Sequence, residues 1–257
     1  MKEKIDHMKI VANGCSFTYG HKDSVNNQAP SWVWPSLFKD MKEITKVVNL
    51  AVEGASNDRV VRTSIEYFEK NKGIDLNNTI LVVQHPTPNR GEWFHIKNKL
   101  WIGYVTTMED VLYDISITDY TKEDLEQIRI DTKIERKVFD QYKAIVESDI
   151  TEIIKYFKNI ILLQTYCKQK GIKLLQVGLS ARCLPRFHFK ETRQSISNNI
   201  FCKELYKMID ESIICDRFLT DIAKGNEESP DDGHPNEVGH DLIFRYIYNE
   251  IKKRWQI

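Results

Sequence analysis

Three short apolar runs do most to limit the folds open to this chain. Met8-Lys9-Ile10-Val11-Ala12, Val47-Val48-Asn49-Leu50-Ala51 and Thr79-Ile80-Leu81-Val82-Val83 are rich in β-branched residues, and each leads into a turn. Runs of this length and make-up read as strands buried on both faces. A helix opened by Ser31-Trp32-Val33-Trp34-Pro35-Ser36-Leu37-Phe38 and reaching about Lys42 is expected between the first two. Between the second and third, Asp58 to Lys70 carries Val60, Val61, Ile65, Tyr67 and Phe68 at helical spacing. The order β-turn-α-β-turn-α-β requires parallel pairing with helices covering the sheet, so the fold class is α/β.

The later chain extends the pattern after an interruption. Residues 91 to about 133 mix Trp93, Phe94, Trp101, Tyr104, Tyr113 and Tyr120 with charges. This stretch reads as an insertion, a hairpin or small lid near the mouth of the sheet. A long helical pattern runs from about Lys133 to Lys170, with a break near Ser148-Asp149, and Gly171 ends it. Ile172 to Gly178 is the fourth strand. A helical segment from Asn199 to Ile214 and a short element at Phe218-Leu219-Thr220-Asp221 follow. A closing helix, Glu237 to Arg254, carries Val238, Leu242, Ile243, Tyr246, Ile247 and Ile251 on one side. One domain over residues 1–257, with the insertion at about 91–133, accounts for the whole pattern.

Composition removes several function classes. Thirty-seven basic and thirty-seven acidic residues give no formal net charge, so bulk charge favours neither nucleic acid nor an anionic membrane as partner. The five cysteines are odd in number and form no C-x-x-C pair, against a disulfide framework or a zinc site. Reduced thiols of a cytoplasmic protein are the expectation. The charged start, Met1-Lys2-Glu3-Lys4, lacks the apolar core of a signal peptide, and no apolar run approaches the roughly 20 residues that span a bilayer.

Chemistry concentrates where the first strand breaks. Val11-Ala12-Asn13-Gly14-Cys15-Ser16-Phe17-Thr18 is a strand running into a tight turn that presents a hydroxyl. The carboxyl edge of a parallel sheet is where open α/β folds place ligands, and amide N–H groups opening the next helix can face a developing oxyanion there. The plainer alternative is a Ser or Thr that only caps a helix. A serine hydroxyl needs a base, and the base an orienting carboxylate. Asp231-Asp232-Gly233-His234-Pro235, far along the chain, supplies both residue types on one loop. Gly54, after the second strand, would let substrate approach the backbone.

These blocks resemble the SGNH/GDSL hydrolase superfamily. Gly14-Cys15-Ser16-Phe17-Thr18 is similar to its serine block, Asn49-Leu50-Ala51 through Gly54 to its glycine block, and Asp231-x-x-His234-Pro235 to its terminal D-x-x-H block. The resemblance implies a flavodoxin-like three-layer α/β/α fold. It also implies ester or carbohydrate-ester hydrolysis by Ser16, His234 and Asp231, with the Ser16 and Gly54 amides holding the oxyanion and no cofactor or metal. The third block departs. Where the family has G-x-N-D, this chain reads Gln84-His85-Pro86-Thr87-Pro88-Asn89-Arg90. Asn89, Asn57, Gln84 and His85 are the candidates for the remaining donor, and Arg90 for a substrate carboxylate or sugar.

Each candidate has a structural alternative. Asn57 reads equally as a helix N-cap and Arg90 as half of an ion pair. Asp232 is a loop residue that could replace Asp231 as orienter. His240 packs or caps on the closing helix, unless it joins His234 and an aspartate around a metal. Cys15, beside Ser16, is expected to point into the core. His85, His188 and the Arg182, Arg186 and Arg193 group either line a substrate mouth or lie on the surface. The expected function is an esterase acting on a small molecule or acylated carbohydrate, with a non-catalytic binding module or an acyltransferase as alternatives.

Overall fold

A computed structural model describes residues 7–20, 30–88, 90–95, 100–105, 112–113, 149–180, 199–228 and 233–256. In chain order they form β1 (Met8–Asn13), α1 (Ser16–Tyr19), α2 (Trp34–Leu37), β2 (Ile44–Asn49), α3 (Asn57–Lys70), β3 (Thr79–His85), β4 (Arg90–His95), β5 (Leu100–Val105) and β6 (Leu112–Tyr113). They continue with α4 (Asp149–Lys170), β7 (Lys173–Gly178), α5 (Ile200–Lys207), α6 (Leu219–Ala223) and α7 (Glu237–Trp255).

The apolar runs fold as expected. Strands β2, β1, β3 and β7 lie side by side in that order, and every pairing is parallel. All seven residues of β3 are buried, because a central strand of a covered sheet has no solvent face. Parallel neighbours need crossovers, and right-handed crossovers send the β1–β2 connection to one face and the β2–β3 and β3–β7 connections to the other. Helices α3 and α4 pack together, and α7 packs against α2 and α6. The result is the three-layer α/β/α arrangement, with strand order 2-1-3 at its centre as in flavodoxin-like sheets.

The core joins Ile10, Ala12, Ile80, Val82 and Leu175 of the sheet to Val60, Val61, Leu163, Ile243, Ile247 and Ile251 of the helices. Trp34 and Phe38, expected as core or pocket wall, are fully buried, so they are core.

Several boundaries differ from expectation. The helix expected to reach Lys42 is α2 followed by a 3-10 turn over Phe38–Asp40, entered through Pro35 at its start. The segment from Asn199 to Ile214 divides, because Asp210 caps a separate 3-10 turn, Glu211–Ile213, by accepting from Ser212 N–H at 2.9 Å. On α7, Val238 and Leu242 are exposed while Phe244 and His240 are buried, so the buried arc is rotated toward α2. The expected hairpin appears as a second, antiparallel sheet, β4-β5-β6. The rest of the insertion, the helical pattern before Asp149, and Arg182, Arg186, His188 and Arg193 lie outside the described residues.

Among the described residues, no helix is long and apolar enough to cross a membrane, and no group of three His, Cys, Asp or Glu side chains is arranged to hold a metal ion. Cys15, Cys167, Cys202 and Cys215 are buried and unpaired as disulfides. Burial pushes the Cys167 and Cys215 thiols up to about 12, so neither is a thiolate at neutral pH.

Candidate active site

The carboxyl end of β1 is pinned before it turns. Asn13 is fully buried, and its Nδ2 lies 2.9–3.0 Å from the Val60 carbonyl and the Thr63 and Ser64 hydroxyls of α3. Its Oδ1 accepts from Gly14 N–H at 2.9 Å. Gly14 then passes where no side chain fits: a Cβ there would stand 2.5 Å from both Gln84 Oε1 and Thr18 Oγ1. Cys15 opens α1 in an extended conformation, with its thiol in the core as expected.

This brings Ser16, only partly buried, to the sheet edge, where its Oγ is 2.7 Å from His234 Nε2. The two residues stand 218 positions apart. His234 is held from both sides. Its carbonyl accepts from Glu228 N–H at 2.7 Å, and Pro235 bridges to Glu227. Asn236 then caps α7 by accepting from Gly239 N–H at 3.0 Å. Gly239 has no room for a Cβ, which would lie 2.6 Å from the Asn226 carbonyl. The Phe17 ring lies against the imidazole, centroids 4.9 Å apart.

The glycine loop is tied to the same turn. Asn49 Nδ2 donates to the Thr18 carbonyl at 3.0 Å, and Asn49 Oδ1 accepts from Ala51 N–H at 3.1 Å. Gly54 follows with φ 69°, a conformation that glycine adopts without strain. Among the described residues, the N–H groups of Ser16 and Gly54 donate to no backbone carbonyl of the turns and loops. The Ser16 hydroxyl thus has an imidazole within hydrogen-bond distance, on a turn to which the loop before Gly54 is tied.

The side chains considered for the remaining donor are turned inward. Asn57 is not the N-cap of α3. Ser56 is, accepting from Arg59 N–H at 3.1 Å. Asn57 is buried, its Nδ2 donates to the Pro86 carbonyl at 3.0 Å, and its Oδ1 lies 2.9 Å from His85 Nδ1. On the other side His85 Nε2 lies 2.6 Å from Gln176 Oε1. Burial lowers the His85 pKa to about 4, so the ring is neutral at pH 7 and carries one N–H for two flanking carboxamides. Nδ1–H donating to Asn57 Oδ1, with the Gln176 carboxamide turned to offer its otherwise unpartnered NH2 to Nε2, satisfies the ring. Gln84 is likewise fully buried, with Oε1 accepting from Cys15 N–H.

Other candidates fall elsewhere. His240 is structural, as expected: its Nδ1 accepts from Trp34 N–H at 3.3 Å, and burial, with the neighbouring His234, lowers its pKa to about 4. Arg90 opens β4, and its Nε and Nη1 are buried without a hydrogen-bond partner. An ion pair between described residues of that region, Arg62–Glu92, joins α3 to β4. Asp231, Asp232 and Asn89 lie outside the described residues. Gln84 and Asn49 carry roles at the turn that the sequence did not announce. The available signal was a polar side chain inside an otherwise apolar strand.

No family model matches the chain, and no curated protein does. Among solved structures, the chain is similar to the psychrotrophic esterase EstA from Pseudoalteromonas sp., at 14% identity and TM-score 0.49, covering 97% of this chain and 99% of that one. It is also similar to a lipolytic protein of the G-D-S-L family from Veillonella parvula, at 12% identity and TM-score 0.47, covering 96% and 99%. A third is the lipase/acylhydrolase from Enterococcus faecalis, at 14% identity and TM-score 0.45, covering 96% of each chain. Identities this low speak at most to the fold and assign no residue a role.

Proposed function

We propose that this chain is an ester hydrolase whose nucleophile is Ser16. The observation that carries the reading is the 2.7 Å contact between Ser16 Oγ and His234 Nε2. In this mechanism His234 Nε2 takes the hydroxyl proton as Oγ attacks the ester carbonyl. The carbonyl oxygen becomes an oxyanion facing the Ser16 and Gly54 amides. Collapse expels the alcohol, which receives the proton from His234. Water, losing its proton to the same nitrogen, then attacks the acyl-enzyme and releases the acid with Ser16 restored. Asp231, three positions before His234, is the proposed orienter of the imidazole.

Asn57, Gln84 and His85 turn inward, so among the described residues the proposed oxyanion hole draws on backbone donors. Small or acylated carbohydrate esters are the proposed substrates, and short-chain nitrophenyl esters are the probe. The parent protein is expected to hydrolyse them and to take a fluorophosphonate on Ser16, located by peptide mass spectrometry. Ser16→Ala and His234→Ala are expected to lose about 10³-fold or more in kcat while remaining folded. A folded Ser16→Ala variant with the parent rate overturns the reading. A parent that neither hydrolyses nor labels leaves the binding module as the function.

A further inference from the structure

We propose that Gln84 is a positioning residue for the nucleophile, acting from a neighbouring strand as the cap that the Ser16 helix lacks; this rests on the reading of Ser16 as nucleophile. Helix α1 has four residues, and no side chain of its own caps it. A helix that short does not hold its shape alone. The backbone N–H of Cys15 would be left unsatisfied in the interior, at the residue preceding Ser16. Gln84 Oε1 accepts it at 2.8 Å and also accepts from the Thr18 hydroxyl at 3.3 Å. One oxygen therefore ties the chain immediately before Ser16 to the chain two residues after it. The direction of Ser16 N–H and of its Cβ follows from the peptides so fixed.

Three further observations set Gln84 apart from a packing residue. It sits in β3, where its side chain is fully buried, a position that an apolar residue of the same length would fill without desolvating an amide. Its Nε2 is buried and unpartnered, so only the oxygen of the carboxamide is used. Gly14 is excluded from bearing a Cβ by that same oxygen, 2.5 Å from where the Cβ would lie, so the turn is shaped around it. The second link, Thr18, also receives Asn49 through its carbonyl, which couples Gln84 to the loop carrying Gly54.

The test is the second-order rate of fluorophosphonate reaction at Ser16, measured beside the thermal midpoint. Gln84→Met keeps the length and loses the acceptor. It is expected to fold, with a midpoint lowered by the Cys15 N–H now left without its acceptor, and to react about ten-fold slower or worse. Gln84→Glu keeps an acceptor in place and is expected to react within about three-fold of the parent. A folded Gln84→Met protein that reacts at the parent rate overturns the proposal while leaving Ser16 as nucleophile. If Gln84→Met does not fold, Gln84→Glu decides: a folded protein reacting ten-fold slower overturns the proposal, and one near the parent rate supports it. A parent that does not react at all removes both readings together.

Discussion

Gly14 shows how tightly single residues constrain the Ser16 turn. A methyl group at this position would lie 2.5 Å from two oxygens and 2.9 Å from Gln84 Cβ, all in the interior. Gly14→Ala is expected to lower stability by about 1–3 kcal/mol, read by denaturant unfolding, and to slow labelling of Ser16 more than the stability change explains. The Ser16–His234 contact was legible in the sequence because each residue sits in a short block whose local pattern announces a turn. The settings of Gln84, Asn57 and His85 were not. Their partners are 69, 28 and 91 positions away, and the register of β1, β3 and β7, with α3 set against the sheet, brings them together. The cap alternative for Asn57 fails for a local reason: Ser56, one residue earlier, is an equally good N-cap and holds the place.

Among the elements, the four parallel strands were legible because strands buried on both faces leave an unbroken apolar record. The helix faces were less so. Val238 and Leu242 fit the apolar period of α7, yet they stand in solvent, since the neighbours α2 and α6 and not the pattern decide which arc is covered. What attaches the second sheet to the first layer was invisible in sequence. Arg62 of α3 meets Glu92 of β4 in a two-point contact, Nε to Oε1 at 2.8 Å and Nη2 to Oε2 at 2.9 Å. Glu92 is almost wholly enclosed, and burial holds its pKa above the ordinary value despite the opposing Arg62 charge. Arg62→Ala would strand that carboxylate. The expected loss is about 3 kcal/mol, with faster amide hydrogen exchange in β4 and β5 than in β1 and β3. Equal acceleration in all four strands would show that the pair braces the whole layer instead.

For the whole molecule, two interior histidines make stability depend on pH. His85 and His240 both titrate near 4 in the folded state, against an ordinary value of 6.5, burial being the chief cause in each. Above pH 6.5 neither state carries the protons, and the two groups contribute nothing to the balance. As the pH falls from 6.5 toward 4, the unfolded chain binds protons that the folded chain refuses, so stability declines, and below about 4 the decline from these groups levels off. The loss at the plateau is on the order of 3 kcal/mol for each group. Urea unfolding at pH 7, 6 and 5 is expected to show this slope, and His85→Gln or His240→Gln to flatten it. A slope unchanged in both variants would place the titration elsewhere.

The contact between Ser16 and His234 also sets a timetable. Ser16, which bears the hydroxyl, and His234, which bears the imidazole, are 218 positions apart, and Trp34 with His240, and Glu43 with Tyr248, join the same two distant regions. Closing so long a loop comes late in folding, after the nearer βαβ pairings have formed. Chemical competence is then a clock for the final step. In refolding from urea, Ser16 labelling is expected to return no sooner than α7 docks, with secondary structure already regained. If Ser16 is the nucleophile as proposed, the half-built molecule, its hydroxyl without the imidazole, is expected to be inert toward esters.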